Sequence, residues 1–230
     1  MKKSIYAVAL TCLFGMSAVA QADTVSFSAS RALDTTDFVD VLTLGKFDTN
    51  LGTLNSISFY LNGTVVTDGG VESLDASSSL ANLSLNATLS LTRPNSSQIV
   101  SGSAGFSQNL TLAAFDGDID FAGPSGYTLN TRVNNVSNSF VSTDVNDFAL
   151  FSALNGGSIN LGVSAIALSD ATGPGNVISY FVTQAGANAR VTYNYTATPV
   201  PEPETYAMLL AGVGLLAMQR RRKTTQKLGA

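Results

Sequence analysis

The sequence contains no histidine, and its single cysteine is Cys12, in the apolar N-terminal segment. Without histidine the chain lacks the commonest general base and the commonest transition-metal ligand, and Ser-His-Asp catalysis is excluded. Export would remove Cys12 with its segment, so the exported chain would have no thiol. Disulfides, thiolate zinc sites and a cysteine nucleophile are therefore excluded from the mature protein.

Basic residues are scarce between residues 23 and 199. This stretch of 177 residues has five basic and fourteen acidic residues, a net charge of −9, whereas seven of the chain's twelve lysines and arginines lie in the two terminal segments. Because nucleic acids are recognised by basic patches, the composition predicts no nucleic-acid partner. The length of this stretch suits one domain with a sizeable core.

The N-terminal segment has the features of a secretory signal peptide. Two lysines precede an apolar stretch over residues 5–19, and Ala20 and Ala22 are the small residues that signal peptidase reads. The apolar stretch is short for a membrane anchor. We expect signal peptidase to cut after Ala22, which makes residues 1–22 the signal peptide and Asp23 the first residue of the mature chain.

The periodicity between the two ends is that of β-strands. Apolar and polar residues alternate at residues 25–29, 57–61, 83–91, 106–112, 159–165 and 191–196. Period two predicts strands with one buried face, and the Gly, Asn, Asp and Pro between these runs predict turns. Helical periodicity is absent before Tyr206. We therefore predict an all-β domain over residues 23–199, an antiparallel β-sandwich, with a barrel as the second choice.

The C-terminal segment reads VPEPETYAMLLAGVGLLAMQRRRK over residues 200–223. Residues 200–203 contain two prolines, which keep the chain extended and stop the next helix from growing backwards. Residues 204–219 predict a short hydrophobic helix that reaches the membrane. Its thirteen consecutive uncharged residues cover about two-thirds of a hydrocarbon core of roughly 30 Å. The basic residues 220–230 predict a cytoplasmic tail, so the domain faces outward.

This tail resembles the PEP-CTERM sorting signal of exported proteins of Gram-negative bacteria. The resemblance rests on Pro201, Glu202 and Pro203, on the apolar run that follows, and on the arginine cluster Arg220, Arg221 and Arg222. It implies that an exosortase recognises the tail and cuts near the Pro-Glu-Pro motif. It also implies temporary anchoring in the inner membrane, a final place at the cell surface or in the extracellular matrix, and an association with extracellular polysaccharide.

Three segments of the domain resemble the choice-of-anchor E domains of bacterial surface proteins. They are KFDTNLGTL at residues 46–54, FDGDIDFAGPSG at residues 115–126 and VTYNYT at residues 191–196. This resemblance implies an exported, non-enzymatic module and brings no catalytic residues with it.

Asp116, Asp118 and Asp120 alternate within the sequence FDGDIDF. In an extended segment the three carboxylates would face one side, roughly 6 to 7 Å apart, and a calcium ion would relieve their repulsion. An EF-hand is excluded because Phe121 and Tyr127 stand where that loop needs its turn glycine and its bidentate glutamate. The other interpretation is a solvated turn in which the aspartates accept hydrogen bonds from backbone amides.

These observations predict a non-enzymatic structural or adhesive protein of the cell surface or extracellular matrix. An alternative is a calcium-dependent or carbohydrate-binding module, in which Tyr193 and Tyr195 would offer a face for stacking on sugars. A more distant alternative is a glycosidase that pairs two carboxylates. The carboxylates available to it are Asp116, Asp118, Asp144 and Asp147.

Overall fold

The computed structural model describes residues 22–173, 175–198 and 208–216. Residues Ala22–Thr196 form one compact unit, and the described residues 208–216 belong to a different one. In chain order the elements before the C-terminal segment are β1 (Ala22–Thr35), β2 (Phe38–Gly45), β3 (Phe47–Asp48), β4 (Gly52–Ser73), β5 (Ser79–Thr92), β6 (Gln98–Leu112), β7 (Gly126–Ser142), α1 (Val145–Phe151), β8 (Ser152–Ala153), β9 (Ser158–Thr172) and β10 (Val177–Ala197).

Two four-stranded sheets make up the domain. Sheet 1 has the strand order β1-β10-β4-β7, and sheet 2 has the order β2-β9-β5-β6. The registered strand pairs within both sheets are antiparallel, and a two-residue parallel pairing joins β3 to β8. The sheets are not closed into a barrel, so the prediction of an all-β antiparallel sandwich is confirmed and the barrel is wrong.

The core lies between the sheets and follows the alternation of the sequence. Strand β5 shows it most clearly, since every second residue from Ala81 to Leu91 is buried and the residues between them are more accessible. The sheets approach closely at Gly63, where a Cβ atom would stand 2.1 Å from Cδ2 of Leu89. A side chain at this position would collide with the opposite sheet, so glycine is required for the observed packing.

Three features of the chain differ from the sequence-based expectation. Strands β2 and β7 lie outside the predicted runs, and β7 is an edge strand whose residues are mostly exposed. Helix α1 forms before Tyr206, in a part of the sequence where helical periodicity is absent. This helix has seven residues, too few for helical periodicity to stand out. Its N-cap is Asp144, whose side chain accepts a hydrogen bond from the backbone of Asn146.

The sandwich has two distinct ends. At the end called here the terminal end, Ala22 pairs with Thr196 at the beginning of β1 and near the end of β10. The Asn55 side chain donates a hydrogen bond of 2.9 Å to the Thr196 hydroxyl. At the opposite end, called the distal end, Glu72 of β4 pairs with Gly126 of β7. The first and last residues of the compact unit therefore lie side by side.

The C-terminal segment contains a second helix, α2, at residues 208–216. It lies inside the predicted helix at residues 204–219, and the remainder of that prediction falls outside the described residues. In the parts of the chain that the structure describes, no helix is long and apolar enough to cross a membrane. The prediction of a transmembrane helix is therefore not confirmed.

Candidate functional site

The predicted sorting and cleavage residues fall mostly outside the described part of the chain. This applies to Ala20 and to the motif residues Pro201, Glu202, Pro203, Arg220, Arg221 and Arg222. Ala22 is described and begins β1. Asp23, the expected first residue of the mature chain, pairs with Tyr195, whose hydroxyl lies 3.3 Å from Oδ2 of Asp23.

The aspartate run does not have the extended geometry that the calcium hypothesis assumed. Asp116, Asp118 and Asp120 lie in the irregular connection between β6 and β7 at the distal end. Asp116 accepts a hydrogen bond from the backbone of Asp118, and Asp120 accepts one from the backbone of Ala122. Among the described residues no group of three His, Cys, Asp or Glu side chains could hold a metal ion. The observed arrangement is the amide-capping turn.

This connection covers a buried carboxylate that the sequence analysis did not single out. Glu72 is fully buried, and within the described residues neither of its side-chain oxygens has a hydrogen-bond partner. Its Oε2 lies 2.5 Å from the point where a Cβ atom on Gly126 would stand, and the backbone nitrogen of Ala122 lies 2.3 Å from the same point. A larger residue at Gly126 would therefore displace either the carboxylate or the connection.

The carboxylates considered for a glycosidase lie at opposite ends of β7. Asp116 and Asp118 precede this strand at the distal end, whereas Asp144 and Asp147 follow it at the terminal end. Asp147 is buried in a two-point ion pair with Arg93, at 2.6 Å from Nε to Oδ1 and 2.7 Å from Nη2 to Oδ2. The hydrogen bonds from Arg93 are the main cause that lowers the pKa of Asp147.

The two tyrosines considered for sugar stacking face the core. Tyr193 is fully buried, its ring packs against Phe27 and Phe47, and its hydroxyl donates a 2.8 Å hydrogen bond to the carbonyl of Gly45. Burial raises the pKa of the Tyr193 hydroxyl. Tyr195 is also buried and packs on Phe47. Neither ring is available to a ligand, so stacking of sugars on these tyrosines is wrong.

A trough of mixed polar and apolar lining crosses the outer face of sheet 1, the face turned away from sheet 2. Its volume is about 660 Å³, a size common for ligand sites. It is lined by residues of all four strands, among them Ser30, Asn62, Thr64, Asn135, Ser137 and Asn188. These residues occupy outward positions, and the sequence showed them only as the polar half of the strand alternation.

Hydrogen bonds orient part of the trough. The Ser137 hydroxyl donates to Oδ1 of Asn62 at 2.9 Å, and the Thr64 hydroxyl donates to Oδ1 of Asn135 at 3.1 Å. The amide oxygens of Asn62 and Asn135 accept these bonds, so their amide nitrogens are not used in either pair. Asn188 lies on the neighbouring strand β10. The trough therefore offers several carboxamide donors on one surface.

Tyr60 and Arg190 flank the trough on its terminal side. Each lies two residues from a trough residue on the same strand and face, Tyr60 from Asn62 and Arg190 from Asn188. The guanidinium carbon of Arg190 lies 4.6 Å from the centre of the Tyr60 ring. Among the described residues no carboxylate forms an ion pair with Arg190. Arg190 is thus an exposed cation that has no carboxylate partner in the described part of the chain.

Comparison with protein families identifies the C-terminal tail. Residues 199–223 match the model described as the PEP-CTERM protein-sorting motif. This match confirms the predicted sorting signal and indicates an exported protein that is sorted by an exosortase. The signal implies temporary membrane anchoring on the way to the cell surface. The likeness to choice-of-anchor E domains is not confirmed.

The likeness of this chain to individual proteins of known structure is distant. No curated protein matches the sequence. Three solved structures of infectious bursal disease virus resemble the chain distantly. The T13 viral particle is 12% identical with a TM-score of 0.23, and the match covers 86% of this chain and 47% of that one. The Gx strain (14% identical, TM-score 0.20) and the VP2 subviral particle (15% identical, TM-score 0.21) each match 88% of this chain and 49% of their own. The chain spans about half the length of these proteins.

Proposed function

We propose that the chain is a non-enzymatic structural or adhesive module that the sorting tail delivers to the cell surface. The pairing of Ala22 with Thr196 supports this proposal most directly. Because the first and last residues of the sandwich both lie at its terminal end, a tether that continues from β10 is attached at that end and not at the distal end. A module that contacts its surroundings while attached at one end needs this arrangement.

The state of the ionisable groups supports a non-enzymatic role. Asp147 is held by Arg93, Asp144 caps α1, and Asp116 and Asp120 accept hydrogen bonds from nearby amides. Paired carboxylates for glycoside hydrolysis need a separation of roughly 5 to 10 Å and contrasting environments. The two aspartate pairs stand at opposite ends of a seventeen-residue strand, which spans roughly 50 Å.

The delivery step is tested by mass spectrometry of the chain recovered from the cell surface or matrix. We expect a C-terminus near residues 201–203. Alanine at Pro201, Glu202 and Pro203 should leave an uncut form in the inner membrane. Alanine at Thr224 and Thr225, just outside the matched motif, is the control and should not change processing. Recovery of surface protein that ends at Ala230 in both variants would contradict sorting by cleavage.

The role at the surface is tested in cells that lack the chain. We expect these cells to lose cohesion of their surface layer or matrix, and the restored chain to recover it. A chain with Asp116→Asn, Asp118→Asn and Asp144→Asn should restore cohesion equally, because these carboxylates have no chemical role in the proposal. Failure of this variant, with unchanged surface abundance and melting temperature, would instead favour carboxylate catalysis.

A further inference from the structure

We propose that the outer face of sheet 1 binds an acidic polysaccharide. A sugar carboxylate contacts Arg190, and sugar oxygens accept hydrogen bonds from the carboxamides of Asn62, Asn135 and Asn188. This inference rests on the proposed function only in placing the module outside the cell. The binding itself depends on the folded sandwich and is measured without export or cleavage.

The first argument is the distribution of charge. The strands of sheet 1 carry acidic residues only at Asp23, Asp34, Asp68 and Glu72, near the two ends of the sandwich. Arg190 of β10 pairs with Ser28 of β1. Asp23 of β1 pairs with the β10 residue five positions after Arg190, and Asp34 pairs with the one five positions before it. Five residues of strand span roughly 16 Å, more than the Debye length of about 10 Å at 0.1 M salt. Arg190 is therefore a local positive charge in an otherwise acidic domain.

The second argument is the preparation of Arg190 for a carboxylate. Its guanidinium carbon lies over the Tyr60 ring, and among the described residues no carboxylate pairs with its N–H groups. Arginine binds carboxylates through two parallel hydrogen bonds, and such charge-assisted bonds are stronger than neutral ones. The other three guanidinium groups of the domain already have side-chain partners, since Arg31 contacts Asp34 and Asp40, Arg93 contacts Asp147, and Arg132 contacts Gln108.

The third argument is the chemistry of the trough beside Arg190. The four strands together span about 14 Å across the sheet, and they present amides and hydroxyls beside the apolar side chains of Leu33 and Val66. Strands β10 and β4 are hydrogen-bonded on both sides, so a peptide cannot be added to them as a further strand. A ligand on these strands is therefore recognised through side chains alone. An acidic polysaccharide, which carries many hydroxyl and carboxylate oxygens, suits such recognition better than an acidic peptide does.

The test uses the chain from Asp23 to Ala230, purified in mild detergent, with polygalacturonate as the acidic polysaccharide. We expect polygalacturonate to retard the protein in native affinity electrophoresis and rising NaCl to weaken the effect. Neutral dextran and poly-L-glutamate should retard it much less. No retardation by polygalacturonate overturns the proposal. Equal retardation by dextran overturns the role of the carboxylate, and equal retardation by poly-L-glutamate overturns the choice of a polysaccharide.

Two arginine variants separate a specific contact from overall charge. Arg190→Gln should weaken binding of polygalacturonate by at least about tenfold, the loss expected for a charge-assisted hydrogen bond. Arg132→Gln is the matched control, because Arg132 also lies over an aromatic ring, that of Phe106 at 5.0 Å, yet belongs to another surface. The control should bind nearly as the original chain does. Equal weakening by both variants, at unchanged melting temperatures, would contradict the site.

Two asparagine variants test the trough in the same way. Asn188→Ala should weaken binding about fivefold, because one neutral donor is lost. Asn86→Ala, at an exposed position of β5 in sheet 2, should leave binding unchanged. Retention of full affinity in a combined Asn62→Ala and Asn188→Ala variant would overturn the placement of the ligand in the trough.

Discussion

Replacement of Asp147 by asparagine removes the charge partner of a largely buried guanidinium. The Arg93 side chain is 17% exposed and the Asp147 side chain 5% exposed, and the pair joins the end of β5 to α1. Breaking a buried ion pair by removing one partner destabilises a protein by about 3 to 5 kcal/mol, because the remaining charge stays away from water. Arg93 keeps a 2.8 Å hydrogen bond to the carbonyl of Gln98. We therefore expect Asp147→Asn to lower the free energy of unfolding by about 3 kcal/mol, the lower end of this range.

The converse variant, Arg93→Met, should cost more because it strands the more deeply buried member of the pair. Asp147 would keep only the 2.5 Å hydrogen bond from the Ser142 hydroxyl. We expect a loss of about 4 kcal/mol in the free energy of unfolding. The double variant Arg93→Met with Asp147→Asn should be more stable than Arg93→Met alone, because no buried charge remains unpaired.

Urea denaturation followed by circular dichroism measures these differences. The control is Asp34→Asn, which removes a carboxylate that is 60% exposed in its pair with Arg31 and should cost less than about 1 kcal/mol. The hydrogen bonds from Arg93 lower the pKa of Asp147. The stabilisation is therefore complete above the unfolded aspartate pKa of about 4, and is lost as the pH falls through the lower folded value. Equal losses for Asp34→Asn and Asp147→Asn would refute this reasoning.

Three further predictions follow from other parts of the domain. Tyr193→Phe should cost about 1 kcal/mol by removing the bond to Gly45. Because burial raises the pKa of Tyr193, the free energy of unfolding of the original chain should fall above about pH 10, where the tyrosine ionises in the unfolded state. The Tyr193→Phe variant should lose less stability in this range, and identical pH profiles of the two chains would contradict the prediction. Residues 23–199 should fold alone into a β-rich protein insensitive to reducing agents, and a helical circular dichroism spectrum would contradict that. Calcium should not raise the melting temperature, since Asp116 and Asp120 already cap amides, and a rise abolished by Asp118→Asn would contradict this.

The fold class followed from the sequence because strand alternation is a local pattern. In β5 each apolar residue predicted to face inward is buried, and the six predicted runs all fall within observed strands. Strand β7 escaped prediction because it is an exposed edge, where burial imposes no alternation on the sequence. Helix α1 escaped because seven residues make fewer than two full helical turns.

The sorting motif and the trough represent two extremes of predictability. The motif at residues 199–223 is contiguous, so its order of proline, apolar residues and arginine could be identified from the sequence alone. The trough unites Ser30, Asn62, Asn135 and Asn188, which lie on four strands. Only the strand order β1-β10-β4-β7 makes them neighbours, and this order depends on long-range pairing between the first and last strands. The sequence by itself determined the delivery signal and the strand character, whereas tertiary packing decided which polar residues share a surface, because adjacency across a sheet is set by pairing between distant segments.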